Sequence, residues 1–462
     1  MPEPLTDYLL LSDVHLGSDI VPHLRPWATT SWLLQEAAID SRLVALFDHY
    51  RTPSAPGRQW KLILAGDFLD LVGVSLAAEQ VETPPTVEEL RCGLGSAPDH
   101  VVRKLNAIAA RHPTVFAALA RFLDAGNSLV FVRGNHDIEL HWRRAQRAFV
   151  EAVAHHASTD IASRIEICPW FYAVDGLFYV EHGHEFDPMC SYGDPLLPVG
   201  LTDSRRIRDT PFSVLLRNVA RPTRGLSSAS YGYVGMSAYA FLLLKLGVSG
   251  SLAIAVRYGR ACYRLVNETF QHALQRHVRR AEAKLKHFAR RSGIDSARLA
   301  ALRTVYVKPA VESLNYVVRS LYLDRIFAGL GAFAIALFAL IAWSWASATT
   351  VGLCALPALP LAAYALIGRG TNTNPAAVMR SGAERIAALF HARWVIMGHT
   401  HDPMLVPVSP DSSYVNLGSW GQDDPPDEQT GTHESSRTFM VIREGEGALM
   451  RWDDTAGPVP FT

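Results

Sequence analysis

Tyr8–Gly17 reads YLLLSDVHLG: an apolar run closes in a small polar residue and is followed at once by an acid and a histidine. The pattern returns at Lys61–Asp70 (KLILAGDFLD) and at Ser128–Asp137 (SLVFVRGNHD). It returns again at Leu177–His184 (LFYVEHGH) and Trp394–Asp402 (WVIMGHTHD). Short apolar runs bounded by turn residues read as buried strands, here Tyr8–Ser12, Lys61–Ala65, Ser128–Val132, Leu177–Glu181 and Trp394–Met397. Stretches with helical periodicity lie between them: Ser31–Tyr50, Val101–Ala125 with Pro113 as an expected interruption, Trp142–His156 and Glu384–Phe390. Two further strands are expected at Tyr414–Leu417 and Thr438–Arg443, and a loop at Ser75–Asp99. Strands alternating with helices predict an α/β sandwich.

The chain has 462 residues, with 44 Lys+Arg balanced by 44 Asp+Glu. Such length and apolar content exclude disorder, collagen and a small disulfide scaffold. Cys92, Cys168, Cys190, Cys262 and Cys354 are scattered without a CxxC pair, so reduced thiols and a cytosolic folded part are expected. Met1–His15 has no basic stretch and no cleavage site, and no secretory signal is expected.

The neutral total hides a division. Cys190–Arg385 holds 25 Lys+Arg against 9 Asp+Glu, a net of +16, and the remainder carries −16. This basic stretch is rich in Ala, Leu and Arg and interrupts the strand–helix alternation. It reads as a helical insertion over 190–385 within a catalytic domain formed by 1–189 and 386–462. Inside it, Ile326–Gly368 contains no charged residue or histidine. One membrane span needs roughly 20 apolar residues. Two are therefore expected, Ile326–Ala346 and Thr350–Ile367, joined by a turn at Ser347–Thr349. Trp343 and Trp345 suit an interface, and Pro357 and Pro360 are better tolerated in lipid than in water. Arg319 and Arg325 before the hairpin, and Arg369, Arg380 and Arg385 after it, place both ends on the cytoplasmic side of a plasma or inner membrane. Tyr231–Val256 reads as an interfacial helix pair. Arg257, Arg260 and Arg264, then Arg276, Arg280 and Lys284, recur at helical spacing and suit an anionic leaflet. No aromatic-interleaved stacking platform is read beside this basic helix, so nucleic acid is not the expected partner.

Five motifs end the predicted strands: Asp13-Val-His15, Gly66-Asp67-Phe-Leu-Asp70, Gly134-Asn135-His136-Asp137, His182-Gly183-His184 and Gly398-His399-Thr-His401. A DxH or a GD pair alone is usually a turn or a cap, and a lone His is usually structural. All five in order, each after a strand, form a ligand set. Asp and His donors with one Asn suit a pair of divalent ions such as Mn²⁺, Fe²⁺ or Zn²⁺. Two ions about 3.5–4 Å apart can clamp one phosphoryl group and supply hydroxide near neutral pH. In-line phosphoester hydrolysis is the natural reaction.

The five motifs resemble those of calcineurin-like metallophosphoesterases. The resemblance implies a four-layer α/β/β/α sandwich with two metal ions at the strand ends. It also implies that Asp13, His15, Asp67 and His401 hold the first ion. Asp67 would bridge to the second, joined by Asn135, His182 and His399. His136 would stabilise or protonate the leaving group. Asp70, Asp137, His184 and Asn416 would support the ligands or contact substrate. The order DVHLG, GDFLDL, GNHD, HGHEFD, GHTHDP and the segment Tyr414–Trp420 is similar to UDP-2,3-diacylglucosamine hydrolases, peripheral membrane enzymes that cleave a pyrophosphate beside a diacyl sugar. This chain departs from them in His136, where they carry Arg, and in its far longer insertion.

A membrane-anchored phosphoesterase acting on a lipid-linked or nucleotide-containing substrate is therefore expected. The alternatives are a tethered phosphatase or phosphodiesterase for soluble nucleotides or phosphoproteins, and a metal-binding membrane scaffold without activity.

Overall fold

A computed structural model describes residues 5–20, 30–222, 236–269, 274–343, 345, 347–367, 374–421 and 435–461. The strands are β1 (Leu5–Leu11), β2 (Arg58–Ala65), β3 (Ser128–Val132), β4 (Ile165–Cys168), β5 (Tyr172–Val174), β6 (Phe178–Val180), β7 (Trp394–Met397), β8 (Met404–Ser409), β9 (Ser412–Asn416), β10 (Thr438–Arg443), β11 (Glu446–Asp453) and β12 (Gly457–Pro460). They form a mixed α/β fold with two mixed sheets, ordered β12-β11-β10-β1-β2-β3-β4 and β5-β6-β7-β9-β8. Strands β1 to β4 are parallel neighbours, as are β6, β7 and β9.

Alternation along the strands assigns each side chain to a face. Leu9, Leu62 and Leu129 share a register row and pack with Leu43, Leu105, Leu119 and Phe149 from helices on one side. Leu10, Ile63 and Val130 share the next row and point the other way, into a core with Val180, Ile396 and Val415 of the second sheet. The far face of that second sheet, through Tyr179, Val395 and Met397, is covered by Met379, Ala383 and Ile386 of the helix Pro375–Phe390 and by Leu299 and Leu302.

Every predicted strand is present: β3, β7 and β10 have the expected ends, and the others are shifted by one to three residues. Of the unpredicted ones, β8 alternates half-buried with exposed residues and carries Pro407, β11 mixes charged residues and glycine with its apolar ones, and β12 carries Pro458 and Pro460. Ser75–Asp99 is broken by a short helix, Glu89–Cys92. Val101–Ala125 is two helices, Pro98–Arg111 and Pro113–Asp124, because Pro113 has no N–H to continue the first.

The chain leaves the second sheet at Val180 and returns to it at Trp394, pairing these two strands in parallel. In between lie the helices Met236–Thr269, Leu274–Ser292, Ser296–Arg303, Leu323–Ala342, Ala348–Ala355 and Ala358–Ile367. Among the described residues one helix, Leu323–Ala342, is long and apolar enough to cross a membrane, and little of it is buried. The expected second span is not one helix. It breaks between Ala355 and Ala358, where Pro357 removes a backbone donor and Leu356 turns, and its second part packs on Leu323–Ala342. Of the expected interfacial pair Tyr231–Val256, residues 231–235 lie outside the described residues. The rest belongs to Met236–Thr269, which departs from helical geometry at Gly247 (φ 66°).

His112, between the two proline-started helices, pins the loop after β1. Its Nδ1 lies 2.8 Å from Asp40, and its Nε2 lies 3.7 Å from Asp19. Burial would lower this imidazole, but the carboxylates of Asp19 and Asp40 outweigh burial and hold it up at about 9, against an ordinary 6.5. A folded-state value above the unfolded one stabilises fully below pH 6.5 and is lost as pH rises through 9. The wild type should exceed His112→Gln by roughly 3 kcal/mol at pH 6, with the gap closing by pH 9.5. Thermal unfolding of both chains at the two pH values measures this, and a gap independent of pH would exclude the ion pair.

Candidate metal centre

The first sheet delivers three motifs side by side. Beyond Leu11 and Leu64 the β1–β2 pairing continues irregularly, with Asp13 N–H donating to the Gly66 carbonyl at 3.2 Å and His15 N–H to the Asp67 carbonyl at 2.9 Å. The chain turns sharply there. Asp13, His15, Asp67, His399 and His401 all have left-handed backbone, with φ of 54°, 55°, 54°, 71° and 59°. This conformation costs a non-glycine residue about 1–3 kcal/mol and persists only where its surroundings enforce it. Two glycines show what enforces it. A Cβ on Gly134 would lie 2.1 Å from Asp67 Oδ1, and one on Gly398 would lie 2.2 Å from Asp13 Oδ2. Carboxylates occupy the space that any side chain at either position would need.

The second sheet brings the remaining motifs to the same place. Gly398 N–H donates to the His182 carbonyl at 2.9 Å, joining the ends of β6 and β7. The sheets are tied through ligands: His399 N–H donates to Asp13 Oδ2 at 3.0 Å, and His182 Nδ1 lies 3.0 Å from the Ala65 carbonyl.

Three overlapping groups of donors result. Asp13, His15 and His401 form one, Asp13, Asp67 and His182 another, and His15, Asp67 and His136 a third, the ligand atoms of each lying within 4.8 Å of one another. His182 Nε2 stands 3.1 Å from Asp67 Oδ2 and 3.1 Å from Asn135 Oδ1. His401 Nε2 stands 3.1 Å from Asp13 Oδ1 and 3.3 Å from His15 Nε2. Asp13 and Asp67 each belong to two groups, so the donors converge on adjacent positions.

The donors suit divalent cations. Burial and the neighbouring His136 push His15 down to about 4, so near neutral pH it is uncharged and offers a lone pair. Burial would raise Asp13, but His182 and His401 outweigh it and hold its carboxyl at about 2. Burial would lower His182, but Asp67 and Asp13 hold it up at about 9, so a proton sits among the carboxylates where a cation would replace it.

The other predicted residues fall into different roles. His399 sits apart from the three groups: its Nε2 lies 3.2 Å from Asp187 Oδ2, it forms a further donor group with Asp187 and Cys190, and its ring lies 5.3 Å from that of His182. His136 Nδ1 lies 2.7 Å from Asp70 Oδ1, and its ring lies 4.4 Å from that of His15. Asp137 accepts from Gly134 N–H at 2.6 Å and Phe68 N–H at 2.9 Å, and so ties the second motif to the third. Asn416 donates to the Gly398 carbonyl at 2.7 Å and to Thr400 Oγ1 at 2.9 Å, holding the fifth motif in shape. His184 is buried beside Tyr192, and neither ring nitrogen has a hydrogen-bond partner. The hydrogen bonds of Asp137 and Asn416 thus brace the motif loops, whereas the His184 ring makes none among the described residues.

Two residues with no sequence signal reach the centre from the chain between β6 and β7. Arg221 bridges Asp70 Oδ2 and the Ser18 carbonyl, and the Phe212 ring lies 5.1 Å from that of His136. Neither neighbours a motif in sequence. Asp187, in contrast, follows HGHEF directly and could have been proposed.

Comparison with known proteins leaves the chain unplaced: no protein-family model matches it, and no curated protein matches it.

Replacing a proton on His182 by a cation releases that proton, so Mn²⁺ affinity should fall between pH 8 and pH 6. Asp67→Ala removes a donor shared by two groups. It should weaken Mn²⁺ binding by more than the about 10–100-fold lost on removing a merely supporting partner. Calorimetric titration of both chains in two buffers of different ionisation enthalpy reads affinity and proton release together.

Proposed function

We propose that the chain is a membrane-anchored phosphoesterase using two divalent metal ions, acting on a phosphoester or pyrophosphate of a lipid-linked or nucleotide-containing substrate. The observation that carries this reading is the overlap of three His/Asp groups at neighbouring strand ends, sharing Asp13 and Asp67. Two sheets with a common core and helices on their outer faces support the four-layer α/β/β/α arrangement of calcineurin-like phosphoesterases, to which the motif order points.

Asp13, His15 and His401 would hold one ion, and Asp67, Asn135 and His182 the other, with His399 alongside. When bound, such ions neutralise phosphoryl oxygens and make water nucleophilic near neutral pH. His136 lies at the rim of this set with its Nδ1 on Asp70, which leaves Nε2 to face a leaving-group oxygen. Asp70 holds the ring, and Arg221 holds Asp70. Burial would lower the His136 imidazole, but Asp67 and Asp70 outweigh it and raise it, which favours a proton donor near neutral pH.

Purified full-length chain with Mn²⁺ should hydrolyse bis(p-nitrophenyl) phosphate, and Asp67→Asn should abolish turnover. His136→Ala should lower kcat by about 10²–10⁴-fold for an alkyl leaving group and much less for p-nitrophenolate, which departs without a proton. Equal losses on both substrates would remove the proton-donor role, and full activity in Asp67→Asn would remove the phosphoesterase.

The exposed apolar helix Leu323–Ala342, with Phe327, Leu330, Phe333, Leu337 and Phe338 all more than 45% exposed, supports the membrane anchor. Expressed in a bacterial host, the chain should stay in the membrane pellet at alkaline pH, and deletion of residues 326–367 should release it. If the deleted chain still hydrolyses soluble diesters at the wild-type rate, the hairpin serves location and not chemistry.

A further inference from the structure

A second surface, separate from both the metal centre and the apolar hairpin, joins an apolar stripe to unpaired positive charge. It lies on the helix Met236–Thr269 beyond its break at Gly247. Ala261, Cys262 and Leu265 bury one face of that helix in a core with Val214, Val311 and Val317. The opposite face carries Val248, Leu252, Val256 and Tyr263, which are 89%, 64%, 43% and 75% exposed. These positions recur every four residues and then after two turns, so they form one line along the helix. An exposed apolar line backed by a packed face marks an interaction surface.

At the end of this line an open cavity of about 470 Å³ is lined by Val256, Arg260, Tyr263 and Arg264 of the helix and by Glu88 and Arg91 of the segment between β2 and β3. Among the described residues the one carboxylate in this lining, Glu88, is already engaged. Glu88 accepts from Asn218 Nδ2 at 3.0 Å and is paired with Arg264, whose Nε also donates to Asp209 at 2.7 Å. Among the described residues Arg91 and Arg260 have no ion-pair partner. The cavity therefore presents two unopposed guanidinium groups between apolar side chains. Val87 and Leu90, which directly precede Glu88 and Arg91 in sequence, are 64% and 66% exposed.

The place of this surface in the fold narrows its occupant. The Tyr258 hydroxyl donates to the Leu321 carbonyl, two residues before the apolar helix Leu323–Ala342 begins. The stripe thus lies beside the point where the chain would enter lipid. Apolar residues bordering unpaired arginines match the boundary between acyl chains and anionic headgroups. A guanidinium fork matches the paired oxygens of a phosphate, the anion that a phospholipid headgroup presents at that boundary.

We propose that Arg91 and Arg260 bind the phosphate of an anionic phospholipid headgroup, with Val248, Leu252, Val256 and Tyr263 seated on the acyl boundary. Arg91 precedes β3 and Arg260 follows β6, so one headgroup would clamp the sheet-bearing part of the chain to the leaflet as well as the hairpin. This fixes the orientation of the metal centre to the membrane surface. The proposal rests on the membrane reading above, and its binding readout does not depend on turnover or on insertion of the hairpin.

The test uses full-length chain in dodecyl maltoside micelles, with dioctanoyl phosphatidylglycerol, dioctanoyl phosphatidylcholine and inorganic phosphate as separate probes. Native mass spectrometry counts bound lipid, and thermal unfolding follows the same titrations. Phosphatidylglycerol should bind at least fivefold more tightly than phosphatidylcholine. The double variant Arg91→Ala/Arg260→Ala should lose that preference while keeping its melting temperature without lipid and its turnover of soluble diester. Leu252→Ser/Tyr263→Ser should weaken both lipids equally. Equal binding of the two lipids by the wild type, or an unchanged preference in the arginine variant, overturns the proposal. So does displacement of phosphatidylglycerol by equimolar phosphate, which would make the cavity a site for free anions. Release of the wild-type chain from membranes at alkaline pH, with lipid preference intact, would instead remove the hairpin anchor alone.

Discussion

Two buried carboxylates, Asp13 and Asp67, are the constraint around which the strand-end donors of this fold are arranged. Both are almost fully withdrawn from solvent, and both stand at the ends of adjacent parallel strands. An isolated buried carboxylate is prohibitively costly, so each must be surrounded by donors or cations. The neighbouring loops supply donors. His399 N–H reaches Asp13, His136 N–H reaches Asp67 at 2.8 Å, and the imidazole of His182 stands against Asp67 and that of His401 against Asp13. Left-handed backbone at five motif residues and glycines without room for a side chain are consequences of crowding so many polar groups onto two acids. Such strain at a strand end stands out because nothing in sheet formation itself requires it.

The long segment between β6 and β7 is folded onto this centre and does not hang from it. Leu299 and Leu302 are part of the core over the second sheet, and the Tyr306 hydroxyl donates to Glu181 at 2.7 Å, one residue before His182. Arg221 and Phe212 reach Asp70 and His136 from the same segment. Its position follows from topology. The segment leaves and re-enters the sheet at neighbouring strands, each of which ends in a motif, so its first and last residues begin beside the donors. Whatever the apolar helices touch is then coupled in space to the donor groups. The opposite charges of the two parts, −16 and +16, take on a physical meaning in this light. Acids gather where the donor groups could hold cations, and arginines gather beside exposed apolar surface.

Much of the centre was legible before any coordinates. Asp13, His15, Asp67, Asn135, His182 and His401 lie within a few residues of strand ends, and strand ends are marked by local patterns of apolar residues and glycine. The roles of Asp137 and Asn416 were not legible in the same way. Both were grouped with residues that support ligands or touch substrate, and only their hydrogen bonds show that they shape the loops. The hairpin shows the reverse limit. Its uncharged length was plain, yet composition could not place the break between Ala355 and Ala358, because a proline's effect depends on what its freed carbonyls meet.

By itself the sequence determined the alternation of strands and helices, the donor set and the apolar stretch, because each is written in residues close together along the chain. The tertiary structure alone decided which donors share a position, that Arg221 and Phe212 stand at His136, and that Arg91 faces Arg260 across one cavity. These juxtapositions join residues far apart in sequence. They arise from how the sheets pack and how the long segment folds back, and no local pattern of residues encodes that.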